Sequence, residues 1–407
     1  MAKQAGAHTP GNEAHSKVSQ RGAEQAVSAT KNKFCKPPGS TATVMAVTGR
    51  PGTGYRICKG GKHMPRKPSF FKKSVFGTGI LILLAALLAA GCCNKEQKGD
   101  PGPLKKIGLM ITPRGLNDKG FNDYAYDGLK QAEKNLNIEG IVIEPSTMQD
   151  HEASLRFFAG QKFDAIIVVG VSFNDAIRKV SAEHPHLKFF IIDSDIDEGN
   201  IKGIYFREDE GAYLCGYLAA RVSKTGKIGF IGGVKIPVIE RFATGYRNGA
   251  LAAVNSTEII EQYVAEDFSG FNNPEHASDL ALDMYRTGCD VIFPAAGASG
   301  LGVISAAVKS RSHVIGVDMN QDSLAPGLVL TSMLKRVDLV VENICKNICE
   351  EKAPESIKRS FGLSDGVIGL TDFQLSFKVV GEDLISELNS VRKAIIDGTV
   401  KTGAAGR

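Results

Sequence analysis

Residues 107–129, IGLMITPRGLNDKGFNDYAYDGL, set the architecture of this chain. The apolar run 107–112 reads as a buried strand and 113–115 as a Pro/Gly turn. Phe121, Ala125, Leu129 and Ala132 then recur at helical spacing, which completes the first half of a βαβ unit. Asn117 or Asp118 can accept a hydrogen bond from a free amide at the helix start, so both are candidate N-caps. The turn lies at the carboxyl end of the first strand, where open α/β sheets hold their ligands. Phe121 and Asn122, in the first helical turn, are placed to face such a ligand.

The alternation continues. Strand-like runs are expected at 140–144, 165–170, 188–193, 201–206, 227–232, 259–265, 290–295 and 313–318, with helical patterns such as 118–135 and 210–223 between them. Continuous Val/Ile/Phe runs such as DAIIVVG and KFFIID suit parallel strands covered on both faces. The fold class is therefore α/β, and about 300 residues of this pattern exceed what a single core accommodates. Two lobes are expected, one from residues 104–208 and 319–352, the other from 209–318 and 353–407. Crossings are placed near 207–211, after Asp318 and before Phe361, and a closing amphipathic helix over 383–397 turns Leu384, Leu388 and Ala394 or Ile395 inward. Three crossings make a hinge, and the cleft between the lobes is the expected site.

The formal charge of +5 over 407 residues is unevenly placed. Residues 1–91 hold 14 of the 49 Lys and Arg and two of the 44 acidic side chains, so the remainder carries 35 basic and 42 acidic residues, a net of −7. Without a basic stripe after residue 91, nucleic acid is not an expected partner. The basic segment PRKPSFFKK, the apolar run 75–90 and the junction LLAAGC make residues 64–91 an export signal of the lipoprotein kind, with Cys92 as the lipidated N-terminus. Ala89 stands three residues before Cys92, where Leu is the usual residue. An uncleaved N-terminal anchor is the other reading. Residues 1–63 are expected to be a disordered extension ahead of a physiological start at Met64, and 92–103 a polar tether. The body is expected to be held at the membrane by its lipid, on the extracytoplasmic side.

Asp193 and Asp318 each close an apolar strand, in FFIID and VIGVD. A carboxylate there can accept two hydrogen bonds from adjacent hydroxyls of a sugar or ribose, or it can serve as a turn or helix cap. The loop AAGASGLG, with Gly297, lets backbone amides approach a bound group. It is neither GxGxxG nor a P-loop, so a nucleotide cofactor is not expected. Phe242 in GGVKIPVIERF is either core or ligand contact, and Lys335 in TSMLKRVD either surface or cleft. The five histidines after Cys92 show no metal spacing, and Cys345 and Cys349 read as two buried thiols on one helix face. No nucleophile pattern is present, so neither catalysis, cofactor nor metal is expected.

These segments together resemble the basic membrane protein family of exported substrate-binding lipoproteins, which includes purine nucleoside receptors of ABC importers. NDKGFND, FFIID, GGVKIPVIERF, FNNPEHASDLALDMYRTGCDVIFPAAGASGLGV, VIGVD and TSMLKRVD carry the likeness, in that order, over about 107–402. The resemblance implies a type I periplasmic-binding-protein fold with two Rossmann-like lobes. It also implies that Phe121 and Phe242 sandwich a base, that Asn122 and Asp193 hydrogen-bond the ligand, that Asp318 and Lys335 contact ribose, and that Gly297 allows close backbone approach. Several members carry Asp directly after the first strand, where this chain has Thr112-Pro113. The expected function is capture of a nucleoside-like solute, purine preferred, for an ABC permease. A sugar or other small polar metabolite on the same scaffold, or a surface receptor or adhesin, are the alternatives.

Overall fold

The computed structural model describes residues 43–46 and 103–403. The expected signal peptide, Cys92 and the tether up to residue 102 lie outside them, as does the N-terminal extension apart from a strand at 43–46. In chain order the first elements are β1 (Thr43–Ala46), β2 (Lys105–Met110), α1 (Phe121–Asn135), β3 (Ile138–Glu144), α2 (His151–Ala159), β4 (Ala165–Val169), α3 (Asn174–Glu183), β5 (Lys188–Ile192), β6 (Asp197–Glu198) and β7 (Ile201–Phe206). Next come α4 (Glu208–Val222), β8 (Lys227–Gly232), α5 (Pro237–Ala253), β9 (Glu258–Tyr263), α6 (Pro274–Arg286), β10 (Val291–Ala295), α7 (Gly300–Ser310), β11 (His313–Asp318) and β12 (Val329–Lys335). The chain ends with α8 (Val337–Cys349), β13 (Ser360–Phe361), β14 (Ile368–Leu370) and α9 (Phe377–Ile396).

Two sheets result. The first runs β1-β3-β2-β4-β5-β7-β13, parallel along that path, with β6 antiparallel to β7. The second runs β14-β12-β11-β10-β8-β9, parallel except for β14. Central strands such as AIIVV of β4 and VIFPA of β10 are buried at every residue, the reason they read as unbroken apolar runs. The chain passes between the sheets after β7, after β12 and between β13 and β14.

The second crossing follows Lys335, not Asp318, because 329–335 is a further strand of the second sheet, paired with β11. Its polar residues disguise it. The Ser332 hydroxyl donates to Asp322 at 2.6 Å and accepts from the Gln321 amide at 2.9 Å, while Thr331 shares a hydrogen bond of 2.9 Å with Thr371. Polar side chains with buried partners lie in a sheet interior without penalty. The third crossing follows Phe361 and does not precede it, because Ser360 and Phe361 pair with Tyr205 and Phe206 of the first sheet. The lobes are therefore 43–46 and 103–206 with 337–361, and 207–335 with 368–403.

α1 begins at Phe121, later than the sequence pattern suggests. Asp118 caps it from outside, accepting from the amides of Gly120 (3.0 Å), Asn122 (2.9 Å) and Asp123 (3.1 Å). Asn117 takes no part in the cap and turns the chain with φ 72. α9 buries Leu384, Leu388 and Ile395 as expected but starts earlier, with a bend at Gly381 (φ 73). Cys345 is buried, whereas Cys349 is partly exposed, and both are free thiols.

Candidate functional site

A cleft of about 580 Å³ lies between the carboxyl ends of the two sheets. Strand order fixes what each wall contributes. On the first lobe the ends of β3, β2, β4 and β5 supply in turn Thr147 and Met148, Thr112 to Arg114, Gly170 to Ser172, and Asp193. On the second lobe the ends of β12, β11, β10, β8 and β9 supply Lys335, Asp318, Ala295 and Gly297, then Ile236, Val238, Ile239 and Phe242, and finally Phe268, Ser269 and Phe271. One end of the cleft is charged and the middle is apolar.

At the charged end the Lys335 ammonium stands 2.6 Å from Asp193 Oδ1 and 2.7 Å from Oδ2, and donates to Glu208 Oε1 at 3.1 Å. Glu208, fully buried, accepts from Arg241 Nε at 2.6 Å through its other oxygen. The Lys335 ammonium also stands 5.1 Å from the ring centre of Phe121, 5.6 Å from Phe242 and 4.9 Å from Phe206. Phe121 and Phe242, from opposite lobes, thus flank one cation. Burial alone would lower the Lys335 pKa, but Asp193, Glu208 and Asp318 outweigh it and hold the amine above its ordinary value. Burial pushes the Asp193 carboxyl up, against the pull of Lys335.

Both strand-terminal aspartates adopt left-handed backbone, Asp193 at φ 68 and Asp318 at φ 65. Asp tolerates this region better than most residues, and the turn swings each carboxyl from the end of its strand toward the gap. The Asp318 carboxyl accepts no hydrogen bond from any described residue. Its carboxyl is pushed up to about 7, by burial first and then by Asp118, Asp193 and Glu208, with Lys335 opposing. An acceptor so placed suits a ligand hydroxyl. Gly297, at φ 54 ahead of α7, brings its backbone to the cleft wall.

Phe121, Asp193, Phe242, Gly297, Asp318 and Lys335 all line the cleft. Asn122 does not. It is 1 % exposed, its Nδ2 donates to Thr112 Oγ1 (2.8 Å) and to the Gly115 carbonyl (3.0 Å), and its Oδ1 accepts from the Thr112 amide (3.2 Å). Both its polar atoms are already engaged in bracing the turn after β2. Sequence reasoning missed Glu208, Arg114, Arg241 and Gln321, and took Asp118 only as a cap, although it lines the cleft. Glu208 follows the β7 strand as Asp193 follows β5, so the same strand-end argument reaches it. Among the described residues no group of His, Cys, Asp or Glu is arranged to hold a metal ion.

Residues 105–405 match the family model described as Bmp, ABC transporter substrate-binding protein PnrA-like. Basic membrane protein A of Borreliella burgdorferi is 33 % identical over 325 residues, covering 78 % of this chain and 93 % of that protein. The ABC transporter nucleoside-binding protein BmpA of Lactococcus lactis is 30 % identical over 324 residues, 74 % of this chain and 91 % of that protein. Among solved structures, an ABC transporter solute-binding protein from Aeropyrum pernix superposes with a TM-score of 0.66 at 24 % identity, covering 74 % of this chain and 94 % of its own. That likeness shows the fold, the type I architecture of periplasmic solute-binding proteins. The match to the family model along both sheets, with relatives at 30 % identity or more over most of their length, makes this chain a member of the Bmp family of ABC transporter substrate-binding proteins.

Proposed function

We propose that the cleft binds a nucleoside, purine preferred, and that the protein, lipid-anchored through Cys92 on the extracytoplasmic face, passes this solute to an ABC permease. The observation that carries the reading is that the two lobes bring one ring each, Phe121 and Phe242, to the cleft beside a strand-terminal carboxyl without a hydrogen-bond partner among the described residues. A flat heterocycle gains burial and offset stacking between two phenyl rings. Adjacent ribose hydroxyls complement Asp318 and Asp193, and Lys335 adds donors. The nucleoside-binding name of the Lactococcus lactis relative agrees with this reading.

Phe242 is also core: it is 3 % exposed and packs on Phe293 with ring centres 6.2 Å apart. Truncation to Ala would mix lost stacking with a cavity costing about 3–5 kcal/mol. Phe242→Leu is the cleaner probe. Calorimetry of the purified protein with inosine, guanosine and adenosine is expected to show binding that Phe242→Leu weakens at least about tenfold. Unchanged affinity in the variant would remove the stacking role, and no heat with any nucleoside would remove the reading. Globomycin-sensitive processing and radiolabelled palmitate on wild type, absent from Cys92→Ala, tests the anchor.

A further inference from the structure

The end of the cleft remote from Lys335 holds a cation that the proposed function does not yet use. Arg114 sits at the tip of the turn between β2 and α1 and lines the cleft. The turn is gripped on both sides of it. The Gly115 amide donates to the Thr112 carbonyl at 2.9 Å, and the Asn122 side chain holds Thr112 and Gly115 together. Gly115, at φ 75, allows the reversal.

Among the described residues the guanidinium so presented has no partner. Arg114 Nε is buried and hydrogen-bonds to nothing, and Arg114 forms no ion pair with a described carboxylate. On the next strand end, the Ser172 hydroxyl is likewise buried and unpaired. Two orphan donors on adjacent turns of one wall call for acceptors from a bound molecule. The strand order β2-β4-β5 puts Arg114 two strands from Asp193, roughly 10 Å along the wall at ordinary strand spacing. With ribose at the aspartates and the base between the rings, Arg114 stands on the side of the cleft toward which the outer edge of the base would point.

We infer that Arg114 is a specificity-determining residue, reading that edge and selecting 6-oxopurine nucleosides over adenosine. A guanidinium offers parallel N–H donors matched to two neighbouring acceptors, the pattern O6 and N7 present on guanine and hypoxanthine. Adenine replaces the O6 acceptor with an amino donor, which sets donor against donor. The inference rests on the nucleoside reading.

The test is calorimetry of the purified wild-type protein and of Arg114→Met and Arg114→Lys with inosine, guanosine and adenosine. Wild type is expected to bind both 6-oxopurine nucleosides at least about tenfold more tightly than adenosine, the factor one bidentate contact supplies. Arg114→Met is expected to bring the ratio near one, and Arg114→Lys, a point charge without the fork, to leave it in between. Adenosine binding as tightly as inosine in wild type overturns the role of Arg114 while the nucleoside reading stands. A preference that survives undiminished in Arg114→Met does the same. No binding of any of the three nucleosides removes both.

Discussion

Lys335 and Asp193 come from different sheets and meet at 2.6 Å, so the cleft is closed at its charged end by an ion pair between the lobes. The lysine is 2 % exposed and its second partner, Glu208, is fully buried. Removing the cation leaves two carboxylates buried beside each other, and breaking a buried pair from one side costs about 3–5 kcal/mol. Lys335→Met is expected to lower stability by that order in urea denaturation. Asp193→Asn, which leaves Lys335 paired to Glu208, is expected to cost less. Equal losses from the two variants would mean that Glu208 does not share the charge.

Asp318 gives the protein a dependence on pH. Its carboxyl titrates near 7 in the fold, chiefly because it is buried, against an ordinary 3.8. Between those values the folded protein holds a proton that the unfolded chain releases. This group's contribution therefore falls as pH rises from about 4 to about 7 and is constant above. Asp318→Asn is expected to remove that slope and to stabilise the ligand-free protein at pH 8 by on the order of 4 kcal/mol. His151, lowered by burial to about 4, contributes a slope of opposite sign between about 4 and 6.5, and cancels when the two proteins are compared. Urea midpoints measured from pH 4.5 to 8 check this, and parallel curves for wild type and variant would remove the assignment.

How much of this was legible in the sequence follows from what each residue is bonded to. Strand ends with apolar approaches announced Asp193 and Asp318, because only the terminal residue of each run is polar. β12 was hidden because Thr331 and Ser332 interrupt its apolar pattern and Lys335 ends it, and the partners of Thr331 and Lys335, Thr371 and Asp193, are remote in the chain. Asn122 misled for the converse reason. Its position in the first helical turn suits a ligand contact, but its side chain is engaged by Thr112 and Gly115 of the preceding turn, a pairing that spacing alone does not announce. Arg114 carried no signal beyond being a charged residue in a turn.

Gln321 is a latch across the cleft. Its Nε2 donates to the Lys119 carbonyl of the opposite lobe at 2.9 Å, while its Oε1 accepts from the Val317 amide at 3.1 Å. Lys119 is itself in left-handed backbone at φ 52, which is part of how the loop reaches across. Gln321→Ala removes the bond to Lys119 and leaves the buried Val317 amide unsatisfied, worth about 1–3 kcal/mol. Part of that falls on the closed state alone. The expected outcome is a larger radius of gyration by small-angle scattering and faster ligand release in stopped flow. An unchanged release rate would show that Gln321 serves only the second lobe.

The site also depends on two helices that touch backbone to backbone. A Cβ at Gly249 of α5 would fall on the Tyr213 carbonyl of α4, one at Gly216 on the Tyr246 carbonyl, and one at Gly245 on the Asp209 carbonyl. Ala at Gly249 gains about 1 kcal/mol of helix propensity, but backbone cannot yield as a side-chain tip does, and overpacking of this kind costs about 1–3 kcal/mol. Steric cost is expected to win. Gly369, whose Cβ would meet nothing within 4 Å, supplies the control: Gly369→Ala is expected to stay within about 0.5 kcal/mol of wild type. α4 carries Glu208 and α5 carries Phe242, so forcing the helices apart also moves the ring away from Lys335. Gly249→Ala should therefore lose ligand affinity together with stability, although residue 249 is not among those lining the cleft. Destabilisation with wild-type affinity would show that the α4–α5 contact holds the lobe together without setting the geometry of the cleft.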